Sequence, residues 1–152
     1  MAGVTGVRLL WPVPDLRTFL SGRWHVDRSL LDRRHSISGK LRGHAHFSPA
    51  GTSLLYRELG TLTFGAHHGP AEQSYRYEFP RGNVRASVCF RDGREFHDLD
   101  LSHGQAVVRH ACGPDLYEGH FITLDEGQWQ SSWRVAGPRK DQEILTLYTR
   151  PS

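Results

Sequence analysis

The sequence has little that would tie it to a membrane, to export or to nucleic acid. No window of its 152 residues approaches the ~20 consecutive apolar residues of a membrane-spanning helix. Met1 to Leu10 carries neither the basic start nor the long apolar stretch of a secretory signal, which points to a cytoplasmic protein. Cysteine is scarce. Cys89 and Cys112 are the only two, and without an export signal they are expected as reduced thiols rather than as one disulfide. Lysine is scarcer than arginine, with Lys40 and Lys140 the only two, and the formal charge of +3 is unevenly placed. Residues 1–42 hold eight basic side chains, Arg8 among them, against Asp15, Asp27 and Asp32, a net +5 that leaves −2 for the rest. The two signs are interleaved, and no basic run tracks a phosphate backbone, so a nucleic-acid partner is not expected. Internal repeats, linkers, low-complexity stretches and catalytic motifs of distinctive spacing are also missing.

What is present is a composition of 38% hydrophobic and 11% aromatic residues, too apolar for disorder and enough for a core in a chain of this size. Residues 1–152 are expected to form a single domain. Pro14 and Asp15 open one short helix, with Asp15 as cap and Leu16, Phe19 and Leu20 on one face, and Ser21-Gly22 ends it. Beyond it the apolar period becomes two. Ten strands are predicted at 22–30, 39–47, 53–64, 72–79, 84–91, 94–101, 105–112, 116–124, 129–136 and 142–149.

Glycine and proline mark the breaks. Asp92-Gly93 is expected to form a two-residue type I′ turn. Pro80-Arg81-Gly82-Asn83, Ser102-His103-Gly104, Gly113-Pro114-Asp115 and Gly137-Pro138 mark further turns, and Ala66-His67-His68-Gly69-Pro70 a loop at a barrel mouth. Many short antiparallel strands in sequence favour an all-β, up-and-down barrel, closed so that no edge remains.

Alternation assigns the faces. Leu41, Gly43, Ala45 and Phe47 point one way, and Lys40, Arg42, His44 and His46 the other. Val84, Ala86, Val88 and Phe90 share a face. Arg28 falls with Trp24 and Val26, and Tyr56 and Glu58 fall with Leu62, so both charges point inward. An inward carboxylate needs a partner, which makes an Arg28–Glu58 pair the economical reading; a ligand anchor or a tuned carboxylate is the functional one. His110 and Cys112 share a face with Ala106 and Val108, as a base and nucleophile, as two soft ligands short of a metal site, or as an inert interior pair. His44 and His46 lie on a solvated face, and His67-His68 in a loop. Ten histidines without convergent spacing do not make a metal centre, and neither metal nor cofactor is expected. Asp98 and Asp100 fall on the face opposite His97, which rules against an acid–base dyad there. Trp11, Trp24, Trp129 and Trp133, with Tyr75, Tyr77, Tyr117 and Tyr148, supply core and, in part, the lining of a cavity.

Gly22-Arg23-Trp24, at the start of the first strand after a short helix, resembles the lipocalin and calycin barrels. There a basic residue near the chain end packs across the tryptophan. Arg150 matches in position, and Arg134 is a possible substitute. Gly22-Arg23-Trp24, Arg28, Tyr56-x-Glu58, Asp92-Gly93-Arg94-x-Phe96-His97-x-Leu99-Asp100-Leu101, His110-x-Cys112, Trp133-x-Val135-x-Gly137-Pro138 and Tyr148-x-Arg150 together look like an uncharacterised family, a small domain of unknown function in bacteria and fungi. That resemblance covers roughly residues 18–150. It implies a lipocalin-like (calycin) barrel and no activity.

A ten-stranded barrel is wide enough to hold one small ligand. The first expectation is therefore a monomer or homodimer that binds an apolar or aromatic organic molecule, through Arg28, Tyr56, Glu58, His110, Cys112, Tyr117 and Trp133. The alternative is an isomerase, cyclase or lyase in which Glu58, Tyr56 and His110 move protons. A haem-binding barrel with one axial histidine ranks third, because the glycine-rich entry strand expected of nitrobindin-like barrels is missing.

Overall fold

A computed structural model describes residues 10–152; Arg8 and all but the last residue of the Met1 to Leu10 segment read for an export signal lie outside them. One five-residue helix, α1 (Leu16–Leu20), precedes ten strands: β1 (Gly22–Asp32), β2 (Ile37–Ala50), β3 (Ser53–Phe64), β4 (His67–Glu78), β5 (Arg85–Phe90), β6 (Glu95–Asp100), β7 (Gln105–Cys112), β8 (Asp115–Asp125), β9 (Gln128–Ala136) and β10 (Asp141–Thr149). The Asp15 carboxylate accepts from the Thr18 backbone N–H and caps the helix, as the sequence implies. All ten strands join one antiparallel sheet in the order β6-β5-β4-β3-β2-β1-β10-β9-β8-β7.

The curled sheet forms a barrel that is nearly closed. Among the described residues β6 and β7, its two edges, exchange no ladder hydrogen bonds, so the expected full closure is replaced by a seam. Side chains fill that seam. Phe96 of β6 stacks on Trp133 of β9 at 5.1 Å between ring centroids and meets His110 of β7 edge-on at 5.2 Å, while His97 lies 5.4 Å from Phe121. At one end the chain before α1 crosses the gap: Trp11 N–H donates to Thr123 O at 3.0 Å and Val13 N–H to Leu101 O at 3.0 Å, and the Thr123 hydroxyl donates to Trp11 O.

This end is the closed one. Trp24 is fully buried, with its indole N–H on Leu20 O at 2.8 Å and the Arg150 guanidinium 3.8 Å above its ring centroid. The same guanidinium donates to the carbonyls of Phe19, Ser21 and Arg23 at 2.7, 2.8 and 2.9 Å, tying the chain end to the helix end. The tryptophan–arginine contact implied by the calycin resemblance is therefore formed by Arg150. Arg134 is on the outside and pairs with Asp141 at 3.3 Å.

Several local expectations differ from the structure. Gly93 has positive φ (+90°), but Asp92 is not among the positive-φ residues, so the β5–β6 turn is not type I′. It is a three-residue connection in which Gly93 N–H donates to Phe90 O and Phe90 N–H donates to Arg94 O. The loop expected at residues 66–70 shrinks to Gly65-Ala66, because β3 and β4 pair through to Phe64 and His67, and His67 and His68 are exposed strand residues. Val84 precedes β5 and is 47% exposed, off the inward face assigned to it. Trp11, which the aromatic count assigns to the core, is 43% exposed.

Candidate ligand-binding lumen

Parity along β1, β2 and β3 stacks three inward rows: Trp24–Ala45–Glu58, Val26–Gly43–Gly60 and Arg28–Leu41–Leu62. The middle row is almost without side chains. At Gly43 a Cβ would stand 2.0 Å from Leu59 O, so β2 and β3 approach each other there as only glycine permits. Over this gap Arg28 reaches down the barrel to Glu58. Its two terminal nitrogens donate to the two carboxylate oxygens at 2.6 and 2.7 Å, and Nε donates to the Thr146 hydroxyl at 2.8 Å. The Tyr56 hydroxyl donates to Glu58 Oε1. Glu58 is fully buried, and Arg28 is 8% exposed.

Burial by itself would lower the Arg28 pKa. The bonded Glu58 carboxylate, together with Tyr148 and Tyr56, outweighs it and holds the guanidinium more firmly charged than usual. Burial, with Tyr148 and Glu58 adding to it, pushes the Tyr56 phenol well above its ordinary value. Tyr75 rises to about 12, again mainly through burial. The polar centre is thus a neutral, internally matched cluster with its phenols protonated.

Above that cluster the lumen opens as a cavity of about 320 Å³ lined by Arg28, Tyr56, Glu58, Tyr75, Phe96, His97, Tyr117, Phe121, Trp129, Trp133 and Tyr148 among others. A volume of that order suits a small organic molecule. A larger concavity of about 810 Å³ on the outer wall is walled by Arg23, His25, His44, His46, Arg57 and Arg76; it is a solvated groove that reaches Tyr56 but neither Arg28 nor Glu58.

Of the residues proposed from sequence, Arg28, Tyr56, Glu58, Tyr117 and Trp133 come together around the lumen. His110 does not line it. Its ring is half-buried and sits against Phe90, Phe96 and Tyr117. Cys112 is exposed as the last residue of β7, because the strand runs out before the Gly113 turn and its final inward position has no wall to face. The two therefore make neither a base–nucleophile pair in the lumen nor a metal site. No cluster of three or more His, Cys, Asp or Glu suited to a metal occurs among the described residues.

Sequence reasoning missed His97 as a lumen residue. The β5–β6 ladder shifts register between Val88 and Cys89: His97 pairs with Val88 and Glu95 with Cys89, leaving Phe96 as the extra residue of a β-bulge. His97 falls with Leu99 and Leu101, opposite the exposed Asp98 and Asp100, so alternation already turns it to the lumen, and the bulge adds Phe96 beside it. His97 Nδ1 lies 2.9 Å from the Asp98 carbonyl oxygen, and burial, with His110 adding to it, lowers its pKa below the ordinary 6.5.

No helix of the described residues is long and apolar enough to cross a membrane. The sequence matches DUF6314, a family of unknown function, over residues 20–150. No curated protein matches it. Among solved structures, the S-type phycobiliprotein lyase CPES from Guillardia theta superposes with a TM-score of 0.66 at 7% identity, covering 90% of each chain. A protein of unknown function from the DUF3598 family of Nostoc punctiforme superposes with a TM-score of 0.64 at 11% identity, over 97% of this chain and 53% of that one. At these identities the likeness is one of fold: a calycin-like barrel.

Proposed function

This chain belongs to the DUF6314 family, whose function is unknown, and from its lumen we propose that it binds one small, largely apolar and aromatic organic molecule inside the barrel. The observation that carries this reading is the cavity of about 320 Å³, walled by aromatic rings and floored by the Arg28–Glu58–Tyr56 cluster. Aromatic faces supply area for a flat ligand, and few polar tips orient it. The lumen's one cation, Arg28, is already matched by Glu58, which favours an uncharged ligand.

Proton transfer is the weaker reading. Both Glu58 oxygens are occupied by Arg28, one also by Tyr56, so abstracting a proton would require breaking the cluster. His110, the third member of the proposed catalytic set, stands outside the cavity lining. Native mass spectrometry of the purified full chain is expected to find a co-purified small molecule, and Ala71→Phe, which fills the lumen wall, to lose it. A mass equal to the bare chain, together with no saturable binding of any naphthalene-sized aromatic, would overturn the proposal.

A further inference from the structure

His97 is the lumen's one imidazole, and its two nitrogens are not equivalent. A carbonyl oxygen only accepts, so the 2.9 Å contact with Asp98 O fixes the proton on Nδ1 and leaves Nε2 as a bare acceptor. Nε2 has no hydrogen-bond partner among the described residues. The ring is held by Phe96, Phe121 and Trp133 at 4.8, 5.4 and 5.4 Å between centroids, so it cannot swing to solvent without unstacking the seam. A second lumen group is also unmatched: Trp129 is 1% exposed, and its indole N–H has no partner. Buried polar atoms are ordinarily paired, and among the described residues the Trp129 N–H is the one fully buried side-chain exception, whereas His97 Nε2 is open to the cavity.

Resting on the lumen reading above, we propose that His97 is a specificity-determining residue whose Nε2 accepts a hydrogen bond from a hydroxyl or N–H of a planar aromatic ligand. The ligand class is then an uncharged aromatic or conjugated molecule with one donor at its edge, as in a phenol or an N–H heterocycle. With the Arg28–Glu58 pair saturated, this imidazole nitrogen is the acceptor held among the aromatic rings of the wall, apart from the Gln73 and Ser131 side chains that also line the cavity. A site built to accept such a donor discriminates against the analogue that lacks it, because its own acceptor is then buried unmatched.

The test uses 2-naphthol and 2-methoxynaphthalene, which share a ring system and differ in the donor. Both are titrated into the full-length chain and followed by quenching of tryptophan emission. The wild type is expected to prefer 2-naphthol by on the order of fivefold, the worth of one hydrogen bond, and His97→Phe to bind both about equally. An unchanged preference in His97→Phe overturns the assignment while leaving the lumen reading intact. Failure of the wild type to bind either compound overturns the lumen reading, and this proposal with it. Should His97→Phe not fold, ¹⁵N spectra of wild-type imidazoles decide: 2-naphthol is expected to move the His97 Nε2 resonance upfield, and an unmoved resonance at saturation refutes the contact.

Discussion

Arg28 and Glu58 meet as a two-pronged ion pair inside the barrel, reaching each other across the bare stretch of wall at Gly43 and Gly60. The pair is possible because two glycines leave the space between them empty. It is tolerable because the Thr146 and Tyr56 hydroxyls take up part of the remaining hydrogen-bonding capacity.

Removing one partner strands the other. Glu58→Ala is expected to cost about 3–5 kcal/mol in urea unfolding, whereas Arg28→Met/Glu58→Met should fall far closer to wild type, since packed apolar residues often replace a buried pair without loss. Equal costs for the single and the double variant would show that the pair's charges do not matter to the fold.

At the closed end, Arg150→Ala removes a cation over an indole and three hydrogen bonds to main-chain carbonyls. A loss of about 2 kcal/mol is expected from the cation–π contact and one net hydrogen bond. Arg150→Lys should recover only a part, because an ammonium cannot present the guanidinium's fork to three carbonyls. Complete rescue by lysine, read from thermal melts, would contradict this.

His97 gives the fold an acid sensitivity. Its pKa is lowered by burial, against the pull of the Asp98 carbonyl and carboxylate. The unfolded chain therefore takes up the proton first. The stabilisation is fully present above the ordinary pKa of 6.5 and is lost as pH falls from there through the folded value. Urea melts between pH 7.5 and 5 should show a decline that is smaller in His97→Phe, and identical slopes in the two proteins would remove His97 as the cause.

The two thiols are unpaired and differ in access: Cys112 is exposed, and Cys89 is buried with its pKa raised by that burial. Reaction with an aromatic disulfide reagent should be fast for one thiol and should reach the second only on unfolding. Two fast thiols would contradict the burial of Cys89, and none in non-reduced protein would indicate a disulfide.

Much of the barrel was legible because a strand with one buried face writes its alternation into the sequence. Leu41, Ala45 and Phe47 against Arg42, His44 and His46 is a plain case, and the turns carry glycine where the backbone goes left-handed, except at Ser36 between β1 and β2. Strand ends were less legible. β4 begins at His67 because pairing with β3 supplies what His67-His68-Gly69-Pro70 lacks in strand propensity. In the lumen, parity was enough for Arg28, Tyr56, Glu58, Tyr117 and Trp133. It misplaced Cys112, where the period continues past the wall; it turns His97 inward with Leu99 and Leu101, but it could not show that Phe96 joins His97 in the lumen. The bulge at Phe96 carries no glycine of its own, and only the partner strand reveals it.

Every ladder of this sheet but one joins neighbours in sequence; the exception is β1 with β10. The fold is therefore two local meanders, β1–β6 and β7–β10, zipped along a pairing whose members, such as Arg28 and Thr146, stand 118 residues apart. Hairpins can form early and cheaply, but that zipper must first close a loop nearly as long as the chain, and the entropy of closure is recovered only afterwards. Folding should be rate-limited there, with substitutions in the β2–β3 ladder felt in the refolding rate and those between β1 and β10 mainly in unfolding. The unpaired seam between β6 and β7 would then be where the two meanders last come together.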